Sequence, residues 1–173
     1  MQSIVLGGGC FWCLDALYQQ MKGVDKVVSG YAGGSEANPT YESIHEQPTG
    51  HAEVVEVTFD SGIMSLTTIL DVFWATHDPT TPNRQGNDVG PEYRSIVLYR
   101  PDQKTEVDAA FYRAQANWDN KVITELKLLE KFYPAEDYHQ DYFNKNPEQG
   151  YCQIIINPKL AKFRKNFPSL LKS

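Results

Sequence analysis

The heptapeptide Gly7-Gly8-Gly9-Cys10-Phe11-Trp12-Cys13 holds the residues best suited to chemistry in this chain. Three glycines follow a short apolar run, Ile4-Val5-Leu6, and lead to a cysteine, two aromatics and a second cysteine. A thiolate is the nucleophilic form of cysteine. Beyond it, Phe11, Leu14, Leu17, Tyr18 and Met21 recur at helical spacing. The expected order is strand, glycine turn, cysteine, then helix from Phe11 to Met21. Cys10 would then stand where free N–H groups and the positive end of the helix dipole favour an anion, so the sequence predicts a thiol that ionises easily. A cysteine beside aromatics is more often a small buried hydrophobe. Three consecutive glycines, however, discard packing at the strand end, which a purely structural site has no reason to do.

Several chemistries fit a Cys-x-x-Cys pair. Structural zinc needs four ligands. The chain offers Cys10, Cys13, Cys152, His45, His51, His77 and His139, with no second close pair, so no metal is expected. Gly7 to Gly9 lack the Lys-Ser/Thr of a P-loop, and position 12 is Trp where Gly-x-Gly-x-x-Gly needs Gly. A cysteine hydrolase using His51 or His139 has no spacing to select its base. A redox thiol is favoured, because an oxidised cysteine needs a second thiol to clear it. Cys13 is near in sequence, and Cys152, beside Gly150-Tyr151, is far away.

Other side chains could complete such a site. Strict alternation through Val55, Val57 and Phe59 puts Glu53 on the inward face of a strand. A strand Glu more often reaches solvent. A carboxyl on an apolar face instead retains its proton and can donate to a developing oxyanion. Tyr41 and Tyr93 are possible hydroxyl donors, although tyrosines are usually core or rim residues. Asp88, in a Gly/Asn-rich loop, reads by itself as a turn former.

These groups need a scaffold. Beyond the first strand and helix, strands are expected at Val24–Tyr31, His51–Phe59, Tyr93–Tyr99, Ile123–Leu129 and Cys152–Ile156. Helices are expected at Thr40–Gln47, Leu66–Thr76 behind a Ser65 cap, Asp102–Asn117, Pro134–Asn144 and from Pro158 to Phe167. The stretch from His77 to Glu92 has no periodicity and reads as a long, functional loop. Its order is β-α-β-β-α-β with C-terminal additions. That predicts an α+β fold, a two-layer sandwich with a ferredoxin-like core, as one domain spanning residues 1–173.

Composition narrows the function. The content is 41% hydrophobic and 22% charged, ordinary for a globular protein. A net charge of -6 argues against nucleic-acid and anionic-membrane partners. The basic cluster Lys159–Lys165 reads as a solvated helix face. No charged leader precedes Ile4, and no run approaches a membrane span. Three cysteines are too few for a secreted disulfide framework, so a cytoplasmic location is expected. No apolar helix face is obviously unpaired, and a monomer is expected.

The motifs together resemble a known family. Gly9-Cys10-Phe11-Trp12 is similar to the active-site signature of the A-type peptide methionine sulfoxide reductases. Ser29-Gly-Tyr-Ala-Gly-Gly34, Asn38-Pro-Thr-Tyr41, Gly50-His-Ala-Glu53-Val, Tyr93-Arg-Ser and Phe132-Tyr-Pro-Ala-Glu-Asp-Tyr-His-Gln140 follow in that family's order. The likeness runs from about residue 4 to residue 158. It implies reduction of the S epimer of methionine sulfoxide, free or in proteins, without metal or organic cofactor. By position, Cys10 is the implied nucleophile and Glu53 the acid that protonates the sulfoxide oxygen. Tyr41 and Tyr93 match hydroxyls that bond that oxygen, and Asp88 matches a polar residue of the same pocket. Phe11 and Trp12 match the wall around the substrate methyl. The product on the protein is a sulfenic acid, cleared as a disulfide that an external dithiol, usually thioredoxin, reduces.

Family members resolve the sulfenic acid either at the Cys13 position or near the C-terminus, and this chain has both cysteines. Cys152 is expected to resolve first from a rigid strand, with Cys13 as relay, since a Cys10–Cys13 disulfide would unwind the helix start. Two other readings remain open at this point: a general thiol-disulfide oxidoreductase using Cys10 and Cys13, and a non-catalytic binder of methionine-rich partners.

Overall fold

The computed structural model describes residues 1–172. Alternation of apolar residues builds its sheet. In β1 (Gln2–Gly7), Ile4 and Leu6 face a large core and Val5 a smaller one. Helix α1 (Phe11–Tyr18) precedes β2 (Val24–Ala32). Next come α2 (Tyr41–Glu46), β3 (Ala52–Phe59) and α3 (Leu66–Ala75). Thr40 and Ser43 cap α2 reciprocally, each side chain accepting the other's N–H. The Ser65 hydroxyl caps α3 by accepting from the Thr68 N–H.

The expected loop contains a small hairpin, β4 (Arg84–Gln85) with β5 (Asp88–Val89). A 3-10 turn at Pro91–Tyr93 follows, so the strand expected from Tyr93 starts only at β6 (Ile96–Tyr99). Helix α4 (Lys104–Gln115) then crosses to β7 (Glu125–Leu128), which runs parallel to β6. The remaining elements are β8 (Phe132–Pro134), α5 (Tyr142–Lys145) and α6 (Asn157–Asn166). The main sheet runs β7-β6-β1-β3-β2-β8, and every neighbouring pair except β6–β7 is antiparallel. The fold is mixed α+β. Residues of α1, α3, α4 and α6 share the large core on one face, while Leu129 and Phe132 cover the smaller cluster on the other. Among the described residues no helix is long and apolar enough to cross a membrane.

Three further expected elements differ. Helix α1 ends at Tyr18, not Met21, because the chain turns through Gly23 (φ 79°) and Met21 bridges to Leu171. No helix spans Pro134–Asn144. There, Phe132–Pro134 pair with the edge of β2, and the Gln140 amide continues the pairing, accepting from the Ser29 N–H and donating to the Ser29 carbonyl. Cys152–Ile156 is not a strand but a wide π-type turn leading into α6. Cys152 and Ile156, four residues apart, are buried, while Ile154 between them is 73% exposed. A strand would put 152, 154 and 156 on one face. Pro158 also lacks the N–H that an α-helix would donate to the Ile154 carbonyl.

Candidate active site

Cys10 is the N-cap of α1, in extended conformation, and it is half-buried. The glycines before it are sterically required. Gly9 has φ +87°, and a Cβ on Gly8 would meet the His77 ring at 2.8 Å. The Gly9 N–H donates to the Tyr93 carbonyl at 3.1 Å, which sets the turn beside the end of the 91–93 segment.

Glu53 comes from the start of β3, with its side chain on the face of Val55, Val57 and Phe59, as the alternation predicts. It is 1% exposed. Its Oε1 accepts from the Phe11 N–H at 3.1 Å, satisfying a free donor in the first turn of α1. Forty-two positions of sequence are closed by that bond. Burial raises the Glu53 pKa, while His45 and the Phe11 N–H oppose the rise. A proton is therefore easier to keep on this carboxyl than on an ordinary one.

The Cys10 thiol does not ionise easily. Burial, then the Glu53 charge, push its pKa well above the ordinary thiol value, while the Trp12 N–H pulls it down. The helix N-terminus acts with the expected sign, but desolvation and a neighbouring carboxylate outweigh it. A protonated Glu53 removes the second of these.

Tyr41 is the first residue of α2. Its N–H donates to Glu136 Oε2 at 3.0 Å, and its ring lies 4.3 Å from His45 and 4.5 Å from His139. Burial, then the charges of Glu53 and Cys10, push the Tyr41 pKa up to about 12. Burial, then Glu53, raise that of Tyr93 further. Both phenols keep their protons at neutral pH and are available as donors. Asp88, on β5, accepts from the Tyr151 hydroxyl at 2.8 Å, and Tyr151 in turn lies 3.9 Å from Cys13 Sγ.

Trp12 is half-buried and stacks on Tyr142 with centroids 3.6 Å apart, its indole N–H donating to His139 Nδ1 at 3.0 Å. Accepting that bond requires Nδ1 to be unprotonated, and burial lowers the His139 pKa to about 4. Phe11 is fully buried against Tyr31 and His139, so it backs the aromatic wall. Cys13 and Cys152 are both buried, burial raises both pKa values, and all three thiols are free.

The structure thus gathers Cys10, Glu53, Tyr41, Tyr93, Asp88 and Trp12 around one end of β1 and β3. It also adds residues that the sequence leaves outside the expected redox site. Glu136 orients Tyr41 and accepts from the Tyr31 hydroxyl at 2.8 Å. His139 holds Trp12, and His45 stands against Glu53 at 3.1 Å. Glu136 and His139 lie in the stretch Phe132–Gln140, whose family likeness was the available signal; His45 had none.

The chain matches the family described as Peptide methionine sulfoxide reductase over residues 2–171. It is 55% identical over 174 aligned residues to "Peptide methionine sulfoxide reductase MsrA" of Pseudarthrobacter chlorophenolicus, covering 100% of both chains. With the protein of that name from Leptospira borgpetersenii it is 51% identical over 166 residues, 95% of this chain and 94% of that one. Among solved structures, Mxr1 of Saccharomyces cerevisiae in reduced form matches at a TM-score of 0.82 and 33% identity, over 87% of this chain and 88% of its own. The same yeast protein in complex with Trx2 matches at 0.58 and 26%, over 82% and 84%.

Proposed function

The chain belongs to the peptide methionine sulfoxide reductase family and reduces methionine sulfoxide, and on that premise we propose how its residues divide the work. Cys10 Sγ attacks the sulfoxide sulfur while Glu53 hands a proton to the oxygen. The phenols of Tyr41 and Tyr93 bond that oxygen as its charge grows, which is electrostatic stabilisation of the transition state. The S–O bond then breaks as oxygen passes to Cys10. Methionine leaves and Cys10 is a sulfenic acid; the substrate sulfur gains two electrons and Cys10 loses two. One proton leaves the Cys10 thiol and one leaves Glu53, so Glu53 takes up a proton before the next turnover. Cys152 then displaces water from the sulfenic acid to form a disulfide, with Cys13 as relay, and a thioredoxin-like dithiol reduces it by exchange. The yeast structure in complex with Trx2 supports that class of reductant. Every step is thiol chemistry and needs no metal or organic cofactor.

The observation that carries this reading is the Phe11 N–H to Glu53 Oε1 bond at 3.1 Å. It ties a carboxyl with a raised pKa to the first turn of the helix that Cys10 caps. Trp12, held by His139 and Tyr142, supplies an apolar wall for the substrate methyl and so a preference for the S epimer; Phe11 backs that wall, and Asp88 is a polar residue of the same pocket. We read the chain as one domain in which β6-β1-β3-β2 and their crossovers form a ferredoxin-like core, and as a cytoplasmic monomer.

Incubation with each epimer of a methyl sulfoxide and dithiothreitol tests the reading. The S epimer is consumed, the R epimer persists, and Cys10→Ser forms no product. Product from Cys10→Ser, or equal loss of both epimers, overturns it. Reduction of a protein disulfide that needs Cys13 and ignores Glu53 would instead indicate a general thiol-disulfide oxidoreductase.

A further inference from the structure

Glu53 has no direct route to bulk water. Its side chain is 1% exposed, whereas that of His45 is 24% exposed. His45 Nε2 lies 3.1 Å from Glu53 Oε2, and His45 Nδ1 lies 3.7 Å from Oε2 of Glu92, itself a buried residue. The first separation is that of an ion pair, but its angle is not that of a hydrogen bond. Both Nε2 and Oε2 are sealed from solvent and, among the described residues, have no aligned partner. Such a pair is costly unless a charge or a proton passes between them. An imidazole with a carboxylate on each nitrogen can donate to both only as the imidazolium.

Local structure explains the arrangement. Tyr41 and His45 are four residues apart on α2, which puts both rings on one side of that helix, with their centroids 4.3 Å apart. The reciprocal Thr40–Ser43 cap fixes where that helix starts. The other groups facing the imidazole are Glu53 from β3 and Glu92 and Tyr93 from the 91–93 turn, with the Tyr93 ring 5.7 Å away. Asp88 and His139 act on it or feel it at longer range.

We propose that His45 is a positioning residue that, as the imidazolium, stabilises the carboxylate left on Glu53 after proton transfer and passes a proton to it from solvent. This inference rests on the roles proposed above for Cys10 and Glu53. The proton balance closes. Glu53 gives its proton to the sulfoxide oxygen, His45 Nε2 gives one to Glu53, and His45 regains one from water while the Cys10 proton is released. The contact with Glu53 raises the His45 pKa, burial opposes the rise, and Glu92 adds to it. The coupled pair therefore keeps its last proton to a higher pH than a solitary imidazole does.

The test is the pH dependence of a single turnover of a chiral methyl sulfoxide by the pre-reduced protein, without added reductant. In the wild type, the alkaline limb follows loss of the last proton from the His45–Glu53 pair. In His45→Gln the midpoint of that limb moves to lower pH, and each unit of movement reads as about a tenfold loss of rate on the limb. Glu92→Gln moves it the same way by less, because it removes one influence that holds the imidazolium. If His45→Gln lowers the rate by one factor at every pH and the midpoint stays put, the inference is wrong and His45 is only structural. Should His45→Gln fail to fold, Glu92→Gln decides, and an unmoved midpoint there overturns the inference. Product from Cys10→Ser in the same assay would sink the parent reading. An inactive Cys10→Ser with an unmoved His45→Gln profile sinks this inference alone.

Discussion

Strand β3 and the segment from Asp141 to Ile156 sit at opposite extremes of restraint. Ala52 to Val55 are all buried, and β3 is paired on both edges. Helix α5 has no buried residue, and from Asn144 to Gly150 every residue but Asn146 is exposed. That second segment is pinned at a few points. The Asp141 N–H, with Asp141 in the left-handed conformation at φ 53°, donates to Asp15 Oδ2 at 2.9 Å; Tyr151 bonds Asp88; Cys152 and Ile156 insert into the core. Segments with few buried contacts open locally at the lowest cost. In the proposed sequence, the sulfoxide step uses groups held by the sheet. The resolving step uses a cysteine that is itself buried but follows an exposed stretch, Asn144 to Gly150. A fixed acid and a movable thiol suit a reaction whose first half needs alignment and whose second half needs two sulfurs to meet.

The sheet-held side of that contrast breaks most severely at Glu53. Glu53→Gln is expected to slow single-turnover methionine formation by about 10² or more, the usual size for a positioned acid. A rapid-quench measurement checks this, and a rate near wild type would remove Glu53 from the step. Loss of the movable thiol comes next. Cys152→Ser is expected to form one equivalent of methionine per protein and then stall under a thioredoxin-like reductant, recovering only as far as Cys13 can clear the sulfenic acid. Trapping the sulfenic acid with dimedone and weighing the adduct by mass spectrometry checks it; full steady-state turnover would make Cys13 the first resolver.

The smallest effect concerns the join between the two regions. Glu136→Gln weakens the bonds to the Tyr31 hydroxyl and the Tyr41 N–H, at a cost of about 1–3 kcal/mol in urea unfolding. Burial raises the Glu136 pKa, but the hydrogen bonds outweigh it and hold the carboxyl below its ordinary value. The folded state therefore binds fewer protons than the unfolded one below that value. The stabilisation is present above the unfolded pKa and is lost as pH falls through the folded one, so the cost of Glu136→Gln shrinks in acid. A cost independent of pH would show that the carboxylate charge is not what matters there.

Much of the site could be read from local patterns. The glycine-cysteine junction and the inward face of Glu53 follow from periods of 3.6 and 2, and both stand in the structure. The strand expected at Cys152–Ile156 failed because three β-branched residues carry strand propensity, while burial at a spacing of four and Pro158 decided the geometry. The helix expected at Pro134–Asn144 failed because the unpaired edge of β2 takes Tyr133 and the Gln140 amide as its partners. His45 gave no signal, since nothing local announces that a residue on α2 will face a carboxyl on the neighbouring strand.

The order of residues by itself determined that a cysteine would stand at the start of a helix behind a glycine turn and that a carboxyl would point inward from a strand, because both depend only on backbone period and steric freedom. Tertiary structure alone decided their charge states and their company. Burial, set by the whole assembly, turned a thiol expected to ionise into one that holds its proton. The sheet order brought Phe11 and Glu53 within 3.1 Å and stood His45 behind them. Desolvation and long-range proximity are properties of the packed chain, and no local pattern encodes them.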